Sequence, residues 1–234
     1  MKNVQQHRPK TSLIMLATLL FCLTSCATTP QNNSLTSEIT EIKQLAVMPF
    51  ITVSGSARHA KELDKTLDCE LSGLCYIDRE VLSLAEKTLT RQLSEALAER
   101  INNMLSQQIV TDYYLRLPKE QHETPRKLVL QMGHDLEADH VVVGLVSRYQ
   151  NRIGGALTAD TPASITFRLY LVDVVNQKLV WEGHFDKTQQ GLSANLLEAG
   201  LFFNYGFKWL RIDELSEHGM EKILEDFPVP VQND

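Results

Sequence analysis

Apolar residues along this chain fall into blocks, and the spacing within each block predicts an element. The run Leu45-Ala46-Val47-Met48-Pro49-Phe50 is almost wholly apolar and carries a proline, which suits a short buried strand better than a helix of that length. Leu89, Leu93, Leu97, Ile101 and Leu105 then recur at every fourth position, joined by Ala96 and Met104. Lys87, Arg91, Glu95, Glu99 and Asn103 take the other faces, so an amphipathic helix is predicted over 83–106. A stripe of this width belongs against the protein's own sheet. Gln108-Ile109-Val110-Thr111-Asp112-Tyr113-Tyr114, rich in β-branched and aromatic side chains, reads as a second strand. Thr124-Pro125 then gives a capping residue followed by proline at the first helical position, and Leu128, Val129, Met132 and Leu136 continue a helix to near Ala138.

The second half turns to period two. His140-Val141-Val142-Val143-Gly144-Leu145-Val146-Ser147-Arg148-Tyr149 is apolar on both faces at first and alternating later, as in a strand that starts in a sheet centre and emerges from it. Gly144 inside it signals a bulge or a close backbone approach. Residues 151–162 contain Gly154-Gly155 without phosphate-loop spacing and read as a hairpin tip. Ile165, Phe167, Leu169 and Leu171 alternate with polar residues; Asn176-Gln177 turns the chain into Leu179, Val180, Trp181 and Phe185, giving an antiparallel hairpin. From 194 to 227 the pattern is helical in two pieces, closing at Pro228. The order β-α-β-α-β-β-β followed by C-terminal helices implies an α/β (α+β) domain: one mixed sheet of about five strands with helices packed on it.

The amino-terminal stretch is of another kind. Lys2, Arg8 and Lys10 precede the apolar run Leu13 to Phe21, then small residues and a cysteine, which is the layout of a secretory signal. An apolar core of roughly a dozen residues is too short for a bilayer span, which needs about 20. Leu23-Thr24-Ser25-Cys26 resembles the lipobox of bacterial lipoproteins. That resemblance implies cleavage between Ser25 and Cys26, acylation of Cys26, and, with Ala27 next, placement in the outer membrane facing the periplasm. Each buried lipid CH₂ contributes about 0.8 kcal/mol, so two or three chains make a durable anchor. No other cofactor is expected. Residues 26–42, with Thr, Ser, Asn, Gln and Pro30, form a tether of about 20–25 Å by random-coil scaling. The predicted layout is a 1–25 signal, the 26–42 tether, a single 43–227 domain with a 51–83 insertion and a 192–227 helical segment, and a 228–234 tail.

Charge and cysteine usage narrow the function. Loss of the signal's three basic residues leaves 20 basic against 29 acidic ones, a balance of −9. Nucleic acid is therefore not an expected partner. Cys69 and Cys75, the pair left after Cys22 leaves and Cys26 is acylated, are most simply a disulfide in an oxidising compartment. A metal reading needs more ligands, and Asp68 to Cys75 contains no histidine. His134, Asp135, Asp139 and His140 are the one place to draw an acid/base or zinc site, but a separation of six positions between the histidines is poor ligand spacing on a helix, and solvated or capping roles suit them better. Phe202, Phe203, Tyr205, Phe207 and Trp209 form the densest aromatic cluster, a core or a partner surface.

Three stretches carry a family resemblance: Leu45 to Phe50, Leu136-Glu137-Ala138-Asp139 running into Val141 to Val146, and Phe167 to Val174 followed by Leu179 to Glu182. They are similar to a group of envelope proteins that includes the amino-terminal domain of the Tol-system periplasmic protein, the curli secretion lipoprotein and the lipoprotein activators of penicillin-binding proteins. The resemblance spans about 43–187 and implies the fold; it brings no catalytic residues, and the chain has no serine-hydrolase elbow, zinc-protease helix or nucleotide loop. The expected function is a non-enzymatic, lipid-anchored binding or assembly module for another envelope protein or the cell wall. A homo-oligomeric subunit of a secretion or export complex is the alternative, and a metal-dependent enzyme the remote one. Gly154, Gly155, Asp160 and Pro162 suit lipid-facing strands poorly, which disfavours a curli-type pore.

Overall fold

The computed structural model describes residues 41–52, 83–117, 124–190 and 208–228. Two short strands open the fold, β1 (Leu45–Val47) and β2 (Ile51–Thr52), separated by the kink at Pro49. Helix α1 (Leu84–Ala98) begins with a reciprocal cap, in which the Ser83 hydroxyl accepts from the Glu86 N–H and the Glu86 carboxylate accepts from the Ser83 N–H. Leu89, Leu93 and Leu97 are fully buried, as their spacing requires. The helix stops well before Leu105, because Asn102-Asn103 favours local polar bonding over helix continuation. The chain instead runs beside β1, with the Leu45 N–H donating to Asn103 O at 2.8 Å and the Leu105 N–H to Leu45 O at 2.8 Å.

One predicted strand is a helix. Residues Gln107–Arg116 form α2, although the segment is rich in β-branched and aromatic residues. The buried positions decide it: Val110, Tyr114 and Leu117 lie inside at helical spacing, while Ile109 is exposed. Tertiary burial overrides strand propensity here. The expected element order therefore fails at this point, yet a sheet of about five strands survives because β2 supplies the missing member.

Thr124 caps α3 (Pro125–Asp135), its hydroxyl accepting from the Lys127 N–H. The long strands follow: β3 (His140–Gln150), a small hairpin of β4 (Ile153–Gly154) and β5 (Ala159–Thr161), then β6 (Ser164–Asp173) and β7 (Lys178–Thr188); α4 (Ile212–Leu224) closes the described fold. The main sheet runs β1-β3-β6-β7, with β2 also on β3; β1 and β2 pair with β3 in parallel and the other pairs are antiparallel. Gly144 marks a close approach, since a Cβ there would sit 2.3 Å from the Phe50 ring.

Each sheet face has its own core. On one, α1 and α4 cover Val142, Phe167, Leu171 and Trp181, with Phe167 contacting Phe50 and Phe185 at ring distances of 6.0 and 5.6 Å. On the other, α2 and α3 cover Val141, Val143, Tyr170 and Val172. The remainder of that second face is polar and paired across strands, Arg168 with Glu182 at 3.0 Å and the Thr166 hydroxyl donating to Asp186 at 3.0 Å.

Beyond Leu45, which bonds the 103–105 backbone, the β1–β2 edge is closed among the described residues by side chains. Gln107 Nε2 donates to Val47 O at 3.1 Å, the Phe50 N–H donates to Thr90 Oγ1 at 2.9 Å, and the Thr52 N–H donates to Glu86 Oε1 at 2.8 Å. Such capping removes the template that an open edge offers to another chain.

Candidate docking surface

Where β3 leaves the core it carries the β4–β5 hairpin out into solvent. Gly154 has φ 102°, and a Cβ there would lie 2.8 Å from Thr158 O, so the turn requires glycine. The Gly155 N–H closes the turn on Thr158 O at 2.9 Å. Ile153 and Leu157 stand on this hairpin 59% and 80% exposed, which is unusual for two large apolar side chains so close together.

A second segment is sewn to the hairpin base. The Trp209 N–H donates to Ala156 O at 2.7 Å. Asn151 Oδ1 accepts from the Arg152 N–H at 2.9 Å and from the Ile212 N–H at 3.1 Å. Gln189, buried at the end of β7, accepts from the Leu210 N–H at 2.7 Å while its amide donates to Lys208 O at 3.3 Å. Leu210 and Ile212 are buried below, and Trp209 is half-buried above. The strap thus fixes Trp209 beside the exposed hairpin residues. Its charges are matched: Lys208 pairs with Glu214 and Arg211 with Asp213. Burial pushes the Glu214 carboxyl up, but the Arg211 N–H and the Lys208 ammonium together hold it below the usual range.

Of the aromatic cluster read from the sequence, Trp209 is on this surface, while Phe202, Phe203, Tyr205 and Phe207 lie outside the described residues, as do Ser25, Cys26, Cys69 and Cys75. Ile153, Leu157, Asn151 and Gln189 were not singled out by sequence reasoning. The signal was present in Ile153-Gly154-Gly155-Ala156-Leu157, two large apolar residues around a glycine turn with no apolar period to absorb them.

The titratable group at the end of α3 is used for building. Asp139 takes the Lys43 N–H at 3.1 Å on Oδ2 and the Gln44 N–H at 2.6 Å on Oδ1, holding the chain as it joins β1. His140, only 7% exposed, places Nδ1 3.0 Å from the same carboxylate. His134 and Asp135 pair with each other at 3.0 Å and are exposed; Asp135 also accepts from the Tyr113 hydroxyl. Burial, then the Asp135 carboxylate, push Tyr113 up to about 12. Among the described residues no group of three or more His, Cys, Asp or Glu is arranged to hold a metal ion.

No protein-family model matches the chain. No curated protein matches it in sequence. Among solved structures, it is similar to the PelC dodecamer from Paraburkholderia phytofirmans at 11% identity and TM-score 0.44, over 84% of this chain and 96% of that one. It is similar to the lipoprotein GNA1162 from Neisseria meningitidis at 13% identity and TM-score 0.40, over 70% of this chain and 98% of that one. The C-terminal domain of LpoB from Escherichia coli aligns at 17% identity and TM-score 0.37, over 66% of this chain and 88% of that one. The values describe chain arrangement and carry no partner or activity to this chain.

Proposed function

We propose that this protein is a non-enzymatic lipoprotein of the bacterial envelope, anchored through acylated Cys26 to the outer membrane, facing the periplasm and docking on another envelope component through the hairpin end. The observation that carries the reading is the exposed pair Ile153 and Leu157 on a glycine turn with Trp209 pinned beside it. A rigid apolar tip with an aromatic neighbour is the composition of an interface core. The direction of the sheet supports it. The chain enters at the His140 end of β3 and the hairpin leaves at the Gln150 end, about 33 Å away for a strand of this length, so the tip lies at the end of the sheet opposite the chain's entry. Charge agrees, since the acidic mature chain has no general attraction to an anionic lipid surface.

The test is a photo-crosslinking residue at Leu157 in the full-length protein in cells, with Val175 as control. Val175 is 76% exposed and sits at the β6–β7 turn, beside Asp139 at the opposite end of the sheet. A discrete adduct from position 157, absent from 175 and lost in Trp209→Ala, is expected. Adducts from both positions alike, or from 175 alone, would overturn the reading. Light scattering on the detergent-extracted protein then tells a second copy from another component, since an oligomer of defined mass would make the partner the protein itself.

A further inference from the structure

The two edges of the main sheet are finished differently. Along β1 and β2 the backbone groups are taken, by the 103–105 backbone and by Gln107, Thr90 and Glu86. The opposite edge is β7, 11 residues long, which among the described strands pairs with β6 alone. We infer that the outer edge of β7 takes up an extended segment of a partner protein as an added strand, one with basic and apolar side chains in alternation, independently of the hairpin end.

The register tells which groups face outward. One step beyond the Ser164–Thr188 pair, the Gln189 N–H donates to Ala163 O, directly opposite, at 3.0 Å. One step beyond the His140–Asp173 pair, the Val174 N–H donates to Asp139 O in the same way at 2.9 Å. Bonding alternates along an antiparallel strand, so from 181 to 188 the odd-numbered residues of β7 turn their backbone to β6 and the even-numbered ones turn theirs outward. Glu182, Asp186 and Thr188 thus hold N–H and C=O groups at the edge that bond no other described residue. Such a row is a template for strand addition.

The side chains select the strand. Glu182 and Asp186, four residues apart, lie on one face of the sheet. Glu182 gives Oε1 to Arg168 at 3.0 Å; Asp186 gives Oδ1 to the Thr166 hydroxyl at 3.0 Å and to Arg148. Each carboxylate keeps its second oxygen, Oε2 or Oδ2, outside these bonds, and the Asp186 side chain is 52% exposed. On the other face Phe185 is half-buried beside Gly183, which has no side chain to cover it. A neighbouring strand therefore meets two half-used carboxylates on one face and an aromatic ring on the other. Opposite charges across strands stabilise such a pairing and like charges oppose it.

The experiment is amide hydrogen exchange read by NMR on the full chain in mild detergent, alone and with acetyl-Lys-Val-Lys-Val-Lys-Val-Lys-amide as probe. In the free protein the N–H groups of Glu182, Asp186 and Thr188 are expected to exchange at least about ten-fold faster than those of Gly183 and Phe185. Millimolar peptide is expected to slow all three about ten-fold. The same peptide with every amide N-methylated keeps its charges but cannot donate, and should protect none of them. Its counterpart with glutamate for lysine should bind about ten-fold more weakly, and the double variant Glu182→Gln, Asp186→Asn should bind the lysine peptide about five-fold more weakly with the free-protein exchange pattern unchanged. Slow exchange at the three positions without peptide would overturn the inference, and if that protection grew with protein concentration it would give the edge to a second copy. Equal effects of the lysine and glutamate peptides, protection by the N-methylated one, or no protection at millimolar peptide would each overturn it as well.

Discussion

Asp139 shows how a residue that looks chemical in the sequence becomes structural in the fold. Both carboxylate oxygens are engaged, by backbone N–H groups of the incoming chain and by the neighbouring histidine. Burial alone would raise its pKa; the Lys43 and Gln44 N–H groups and His140 outweigh it and hold the carboxyl below the usual range. A group whose folded pKa is depressed contributes stability that is fully present above its unfolded value, about 3.9, and is lost as pH falls through the folded value. Asp139→Ala is therefore expected to destabilise the protein by about 1–3 kcal/mol at neutral pH, by orphaning two N–H groups. The variant's penalty should shrink below pH 4, where the wild type loses the same bonds. Urea melts at neutral pH and at pH 3 check this, and an equal penalty at both would contradict it.

Among the elements, most of the pattern was legible because burial follows period. The α1 leucines, the Thr124-Pro125 start of α3, the long alternating strands and the Asn176-Gln177 turn all stand where their residues place them. Helix α2 was not legible by propensity, since Ile109, Val110, Thr111, Tyr113 and Tyr114 are all strand formers. Only the spacing of its buried members, visible once the partners are known, distinguishes helix from strand. In a helix Ile109 faces solvent and Val110 the core, so Ile109→Lys is expected within about 0.5 kcal/mol of wild type. Val110→Ala is expected to cost about 2 kcal/mol. Thermal melts of the pair provide the check. The hairpin end was half legible. Trp209 belonged to an obvious aromatic run, but the bonds from Asn151 and Gln189 that fix the strap join residues tens of positions apart, and no local pattern encodes them.

At the scale of the whole molecule the sheet separates two ends. One receives the chain at Lys43–Gln44 and turns β6 into β7; the other extends the β4–β5 hairpin and the Trp209 strap. Among the described residues the edge beside β1 is closed by the 103–105 backbone and by Gln107, Thr90 and Glu86, so the sheet is not open to lengthening along that edge.

The parallel pairing of β1 on β3 also has a mechanical meaning. A protein held at its amino terminus and gripped at its hairpin is pulled along its strands, so the β1–β3 ladder and the Asp139 clamp resist together as a shear joint. Gripped at the β6–β7 turn, on the same end as the amino terminus, it would be opened one bond at a time like a zipper. Single-molecule pulling between the amino terminus and residue 157 is expected to require a distinctly higher rupture force than pulling between the amino terminus and residue 175. Equal forces would show that β1 is not the strand that carries the strain. The sheet orientation thus predicts the greatest mechanical resistance along the line from the amino terminus to the hairpin.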